Sequence, residues 1–380
     1  MNNLYKYLPP FLADTFGFQE VVDVTDGMGI LDDCSGYKGR VSRTDVSEPY
    51  PGSRLVTSWI RMEDVIGGTK AKLLEAFRKS APALDPAFVL VGTAPVASMI
   101  GTDLEDVADS ITREGGVPAA SVELNGHKFY DQGISASLLA LAKLLVQPAA
   151  EKIPGGVNLI GGNAIDWTTK NVRDVRAWAE QNGFRVVSQW GARETAEHLR
   201  QAARAEVNLV TAACGLATAK WMEQEFGIPY VAAAPFGRSW AAQAAAALKN
   251  GVQPALPAFE GPAKILIVGE QLTANAIRAT LALDYGICGV DAATFFTFQK
   301  GLGVPSDKRL KGEDALKNLL HGGYDLVIAD PDLRVLAPED CSWIDLPHGA
   351  VCLECAPDAV PPLVGEDLNR WLDRVLPRKD

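Results

Sequence analysis

Most of the chemistry this sequence offers sits in six cysteines, four histidines and a set of glycine-rich loops. Thiolates hold iron–sulfur clusters and other soft metal centres. Of Cys34, Cys214, Cys288, Cys341, Cys352 and Cys355, only the last two share a ligand-like C-x-x-C spacing. That pair reads either as a metal-binding turn, with Cys341 or His348 as the nearest further donors, or as two strand residues without metal. Cys34 follows Asp32 and Asp33 and mixes one soft donor with two hard ones. The triplet is either a ligand set or a solvated turn, and carboxylates suit harder ions. Cys214 lies just past an apolar run, where a small residue packs under a loop. Gly92-Thr93-Ala94, Gly161-Gly162-Asn163 and Gly269-Glu270 each end an apolar run. His127, His198, His321 and His348 form no metal-type cluster. No glycine pair completes G-x-x-x-x-G-K-[ST] or G-x-G-x-x-G, and neither G-x-S-x-G nor H-E-x-x-H occurs. An ATPase is therefore not expected.

The elements that must position these residues alternate between strand and helix. Residues 88–91 read as a buried strand, and Thr102 reads as the N-cap of the following helix, with Glu105 as its capping-box partner. Ahead of them, residues 10–15 read as a short helix and the stretch to Val24 as a strand. Gly67-Gly68 marks a turn before an amphipathic helix with Leu73, Leu74 and Phe77 on one face. Strands are expected at 118–122, 157–160, 184–189, 208–211, 228–232, 264–268 and 325–329. Helices are expected at 135–145, 168–182, 193–203, 216–226, 240–248, 273–284 and 366–375. Such βαβα alternation implies parallel, doubly wound sheets, and loops at the carboxyl ends of their strands are where open α/β sheets bind ligands. Breaks near 148–156 and 254–262 divide the chain into domains at 1–150, 151–258 and 259–380.

The composition bounds the function. At 380 residues with 47% hydrophobic content, several sizeable cores are expected. A net charge of −11 argues against a nucleic-acid footprint. No run of about 18 apolar residues is present and no secretory signal is read at the start, so no membrane span is expected and the cytoplasm is the expected location.

Several separated blocks resemble one family. Gly92-Thr93-Ala94, followed by Ile100-Gly101-Thr102-Asp103-Leu104-Glu105-Asp106-Val107, resembles the S-T-C-x-x-x-x-I-G-D-D-L-E-A-V loop and helix of nitrogenase component 1 and dark-operative protochlorophyllide reductase subunits. Ser58, Met62, Glu63, Asp64, Val65, Gly67, Gly68, Lys72 and Leu73 match a second block, S-x-x-M-x-E-x-D-x-V-F-G-G-x-x-K-L. Residues 157–237 resemble the family's second domain in order and spacing. The resemblance implies an α/β fold of three Rossmann-like domains with parallel sheets. It implies an oxidoreductase subunit that takes electrons from an ATP-dependent iron protein to reduce a small molecule or a tetrapyrrole. The alternative is a cluster-free structural partner, or a scaffold or carrier for a metallocofactor or tetrapyrrole. A homodimer or a heterodimer with a related component 1-like subunit is implied, with residues 26–64 near the contact. The family's loop cysteine ligates a bridging iron–sulfur cluster, and Ala94 stands in its place. The other two ligand positions fall near residues 6–8 and 30–31, which leaves Cys34 as a displaced ligand. The cysteine that holds the active-site metal cofactor in the catalytic subunit matches Ala212, two residues before Cys214. The implied cofactor-binding residues are Cys34, Asp33, Thr93, Ala94, Gly161, Gly162, Asn163, Cys214 and Gly269, with Cys34 and Cys214 as metal ligands. Any iron–sulfur cluster or other metallocofactor would then be supplied with a partner subunit.

Overall fold

A computed structural model describes residues 6–34, 53–258, 264–351 and 360–377. The strands form three sheets, parallel throughout. The first is built from β1 (Met28–Asp32), β2 (Leu55–Thr57), β3 (Val89–Thr93) and β4 (Ala119–Ser121), in the order β2-β1-β3-β4. The second uses β5 (Gly156–Ile160), β6 (Arg185–Trp190), β7 (Val207–Val210) and β8 (Tyr230–Ala232), in the order β6-β5-β7-β8. The third uses β9 (Ile265–Val268), β10 (Val290–Thr294), β11 (Lys308–Arg309), β12 (Leu326–Ala329) and β13 (Ser342–Asp345), in the order β11-β10-β9-β12-β13. The central strands are buried along their whole length. Strands covered on both faces read as continuous apolar runs, which is why they stand out in the sequence.

In each sheet the strand order reverses at one place, between β1 and β3, β5 and β7, and β9 and β12. Such switch points open a crevice beyond the carboxyl ends of the strands. Asp32, Asp33, Cys34, Thr93 and Ala94 lie at the first, Gly161, Gly162, Asn163 and Cys214 at the second, and Gly269 at the third.

The helices are α1 (Asp14–Asp23), α2 (Met62–Gly67), α3 (Lys70–Leu84), α4 (Pro95–Ser98), α5 (Leu104–Gly115), α6 (Tyr130–Leu145), α7 (Thr169–Gln181), α8 (Ala196–Arg200), α9 (Leu216–Phe226), α10 (Arg238–Asn250), α11 (Gln271–Tyr285), α12 (Glu313–Leu320) and α13 (Glu366–Val375). One buried core runs through all three units, and a smaller one lies under α3 and α5.

Two local expectations are corrected. Residues 14–23 are one helix, not a short helix followed by a strand. α1 crosses α6 so closely that a Cβ on Gly17 would lie 1.9 Å from the carbonyl oxygen of Tyr130, and one on Gly133 1.9 Å from that of Asp14. Helix-on-helix packing decides this segment against its β-prone Phe and Val content. The cap of α5 is Asp103, whose side chain accepts from the Asp106 N–H, not Thr102. The Thr102 hydroxyl instead meets that of Thr69 at 2.5 Å. Cys352 and Cys355 lie outside the described residues. Among the described residues, no helix is long and apolar enough to cross a membrane.

Candidate functional site

The second and third switch points meet at a buried junction to which each unit contributes side chains. From the first comes Tyr130, at the start of α6. Its hydroxyl donates to Asp166, which lies in the loop after β5 in the second. From the third comes His348, three residues past β13, with Nε2 3.2 Å from Asp166 Oδ1 and 3.4 Å from the Tyr130 hydroxyl. The Ala350 N–H donates to His348 Nδ1 at 3.1 Å, so in the neutral ring the proton sits on Nε2 and points at Asp166. Asn163 Nδ2 donates to the other carboxylate oxygen at 2.6 Å. Phe296 stacks on the His348 ring, with centroids 5.0 Å apart. Asp166 therefore gathers three donors from three units, which satisfies a buried carboxylate without a lysine or arginine.

Glu270 closes the floor. It caps α11 by accepting from the N–H groups of Leu272 and Thr273, and it reaches across to the Ala213 N–H at 2.8 Å. Gly161 lies at φ +97°, and a Cβ there would be 2.7 Å from the Ala212 carbonyl, so only glycine lets these two loops touch. The Cys214 thiol donates to the Gly161 carbonyl at 3.2 Å. Burial and the surrounding carboxylates Asp166, Glu270 and Asp131 push that thiol well above its usual range. The cavity left between Asp166, Gly269, Glu270, Thr273 and His348 is about 20 Å³, room for a single water.

Burial and the charge of Asp166 push Glu270 up to about 7, against the opposing backbone N–H groups. Burial likewise carries Asp330 up to about 6 and raises Asp131. In an unfolded chain these carboxyls ionise near pH 4. The folded chain therefore holds extra protons between about pH 4 and 7. Their contribution to stability is complete below pH 4 and is lost as pH rises through 7. The melting temperature is expected to fall between pH 5 and pH 8, and Glu270→Gln, which mimics the protonated form, is expected to flatten that fall. A Gln variant with the wild-type slope would show that Glu270 does not titrate in this window.

The first switch point stands apart. Asp32 accepts from the hydroxyls of Ser58 and Thr69, each at 2.6 Å. Asp33 Oδ1 accepts from the Cys34 N–H at 2.8 Å, while its buried Oδ2 has no partner. Burial first, then the Asp33 carboxylate, raises the half-exposed Cys34 thiol above its usual range. The Thr93 hydroxyl donates to the Leu124 carbonyl at 2.7 Å, and Ala94 is buried in the main core.

A four-iron cluster held by protein thiolates needs four of them, and this edge offers Cys34. Ile30 and Leu31 are mid-strand core residues on opposite faces of β1, and residues 6–8 are bonded to Glu313 in the third unit. The donor set of one chain does not fit an all-thiolate bridging cluster. The junction does not fit a metal cluster or a tetrapyrrole either, since its lining leaves space for one water. Among the described residues, no group of three or more Cys, His, Asp or Glu side chains is arranged to hold a metal ion.

The strand-end loops are readable in sequence, but Tyr130, Asp166 and His348 are not singled out there as a group. The one available signal is position, since Asp166 and His348 lie in the loops that follow β5 and β13, on the strand-end side where the glycine loops also lie.

The profile of the family described as nitrogenase component 1 type oxidoreductase matches residues 32–260. The chain belongs to this family. The nitrogenase iron-molybdenum cofactor biosynthesis protein NifE of Methanosarcina barkeri is 26% identical over 219 residues, 54% of this chain and 46% of the relative. A light-independent protochlorophyllide reductase subunit of Synechococcus sp. (strain RCC307) is 26% identical over 195 residues, 45% and 36% of the two chains. The nitrogenase molybdenum-iron protein alpha chain of Azospirillum brasilense is 26% identical over 211 residues, 50% and 41%. The chain thus spans about half the length, or less, of these relatives. Across the whole fold, the solved structure "Nitrogenase Cp1 at pH 6.5" superposes with a TM-score of 0.75 at 14% identity, covering 99% of this chain and 95% of the other. At that identity the likeness speaks for the component 1 fold alone.

Proposed function

We propose that this chain is a subunit of a nitrogenase-like oxidoreductase assembly that pairs with a related component 1-type subunit, and that the partner supplies the thiolates of any bridging cluster. Electrons reach the pair from an ATP-dependent iron protein, and the molecule reduced, a small molecule or a tetrapyrrole, enters at the junction once it opens. The observation that carries the reading is a single half-exposed thiol, Cys34, beside an apolar surface at the same sheet edge. That surface comprises Trp59, Met62, Val65 and Ile66 around α2, with Val96 and Met99 at α4, and Met62, Ile66 and Met99 are 78–88% exposed. The donor count also favours a second reading, a cluster-free scaffold, and the similarity to a cofactor biosynthesis protein supports it.

Anaerobic purification separates the two readings. The first expects the chain alone to carry far fewer than four irons, and the complex with a component 1-like partner to carry about four irons and matching sulfide. Cys34→Ser is expected to leave most of that iron in place. A complex without iron favours the scaffold. About four irons per dimer of this chain alone, abolished by Cys34→Ser, would overturn both and make Cys34 a displaced cluster ligand.

A further inference from the structure

The junction between the three units is closed, so any ligand larger than water requires the third unit to shift. The elements that must move are those flanking His348, namely the loop after β10 and the segment after β13. Both are touched by one stretch at the start of the described chain, residues 6–12. The Leu12 N–H donates to the Ala350 carbonyl at 3.0 Å, two residues past His348. Phe11 sets its ring edge-on to Phe295, with centroids 5.0 Å apart, and lies 6.2 Å from Phe296, the ring stacked on His348. The stretch is held at its outer end by Glu313, the first residue of α12. The Glu313 carboxylate accepts from three consecutive backbone N–H groups, those of Lys6 (2.6 Å), Tyr7 (3.1 Å) and Leu8 (3.2 Å). Lys317, one turn further along α12, places its ammonium 5.6 Å from the centre of the Tyr7 ring.

We propose that residues 6–12 are a strap that gates the junction, with Glu313 as its clasp. The inference rests on the reading of the junction as the ligand cleft and adds how access to it is controlled. Several bonds between the third unit and its neighbours are interior, such as Ala213 to Glu270 and Trp167 to Thr273, while Arg238 meets Asp284 at the surface. The clasp is a surface contact that leads to the flanks of His348. Lys6 and Tyr7 are exposed, so a docking partner reaches them without prior opening. Releasing the clasp frees Phe11 and Leu12 to withdraw from both sides of His348, and the latch of Tyr130, Asp166 and His348 then loses its packing.

The molecule carries its own reporter of opening. Cys214 is buried at the junction, Cys341 is buried beside β13 away from it, and Cys288 is exposed. Native-state alkylation with N-ethylmaleimide, resolved by mass spectrometry at each cysteine, reads all three. In Glu313→Ala, Cys214 is expected to react at least about tenfold faster than in wild type, the equivalent of one lost hydrogen bond to a charged group. Cys341 and Cys288 are expected to keep their rates. Glu313→Gln, which keeps one acceptor without the charge, is expected to fall between, and it carries the test by itself should the alanine variant not fold. An unchanged Cys214 rate in the variants that fold would overturn the proposal. So would a parallel rise at Cys341, which would mean general loosening rather than release of a gate. Neither outcome depends on iron or association, so the strap and the assembly reading fail separately.

Discussion

Replacing Arg278 with methionine is expected to lower stability by about 3–5 kcal/mol, the usual effect of stranding one member of a buried ion pair. The side chains of Arg278 and Asp307 are each 1% exposed, and the guanidinium meets the carboxylate through two parallel bonds of 2.8 and 2.9 Å. Asp307 also accepts from the N–H groups of Ala292 and Val304, both at 2.9 Å. Arg278 on α11 thereby ties down the loop between β10 and β11, which Asn275 and Gln271 hold at Leu302 and Gln299. Without the arginine, Asp307 is left charged in a dry interior. A lysine should not rescue, because a point charge cannot reproduce the planar fork. Adding Asp307→Asn to Arg278→Met should recover part of the loss by removing the stranded charge. Urea unfolding followed by circular dichroism measures it, and an Arg278→Met midpoint equal to wild type would show that the pair contributes no net stability. The same loop carries Phe296 and Thr297, so the variant should also loosen the packing around His348.

The second large effect concerns association. Ile66→Asp combined with Met99→Asp is expected to weaken the proposed subunit contact about 100-fold, because an unpaired carboxylate buried at an interface costs several kcal/mol and each 1.4 kcal/mol is tenfold. The two residues lie on one face. The turns that follow α2 and α4 line the same hollow of about 580 Å³, and Thr69 and Thr102 join across it. Large apolar side chains left exposed in a group mark an interaction site more often than a bare surface. Both side chains are exposed, so the melting temperature of the isolated chain should hardly move. Light scattering and sedimentation at micromolar concentration, with and without a component 1-like partner, decide the matter. Equal association of variant and wild type would exclude this face as the contact.

How far the fold could be read from the sequence follows from which interactions are local. The apolar run at 88–91 and the Gly67-Gly68 turn before the amphipathic α3 each announce themselves within a few positions. Residues 14–23 do not. Phe16, Phe18, Val21 and Val22 favour a strand, and the helix is decided by α6, whose Tyr130 carbonyl lies against Gly17. The strand-end glycine loops were legible as site candidates because parallel sheets always present such loops at one edge. The trio at the junction was not, since Tyr130 and His348 are 218 positions apart and Asp166 looks like an ordinary loop acid. Cys34 illustrates the opposite case. Its type marked it, yet only the structure shows that it, and not Ile30 or Leu31, stands at the strand end.

The clasp between Lys6 and Glu313 joins residues 307 positions apart. On the ribosome the strap therefore emerges long before its anchor. At about 5–20 residues per second, the interval between them is roughly 15–60 s. In the last part of that interval, once residue 232 is out, the nascent chain carries the α1–α6 pair and the second sheet, while the third unit that covers Tyr130, Asp166 and Cys214 is still incomplete. Synthesis thus leaves the first two units' share of the junction open to solvent until the third unit folds over it.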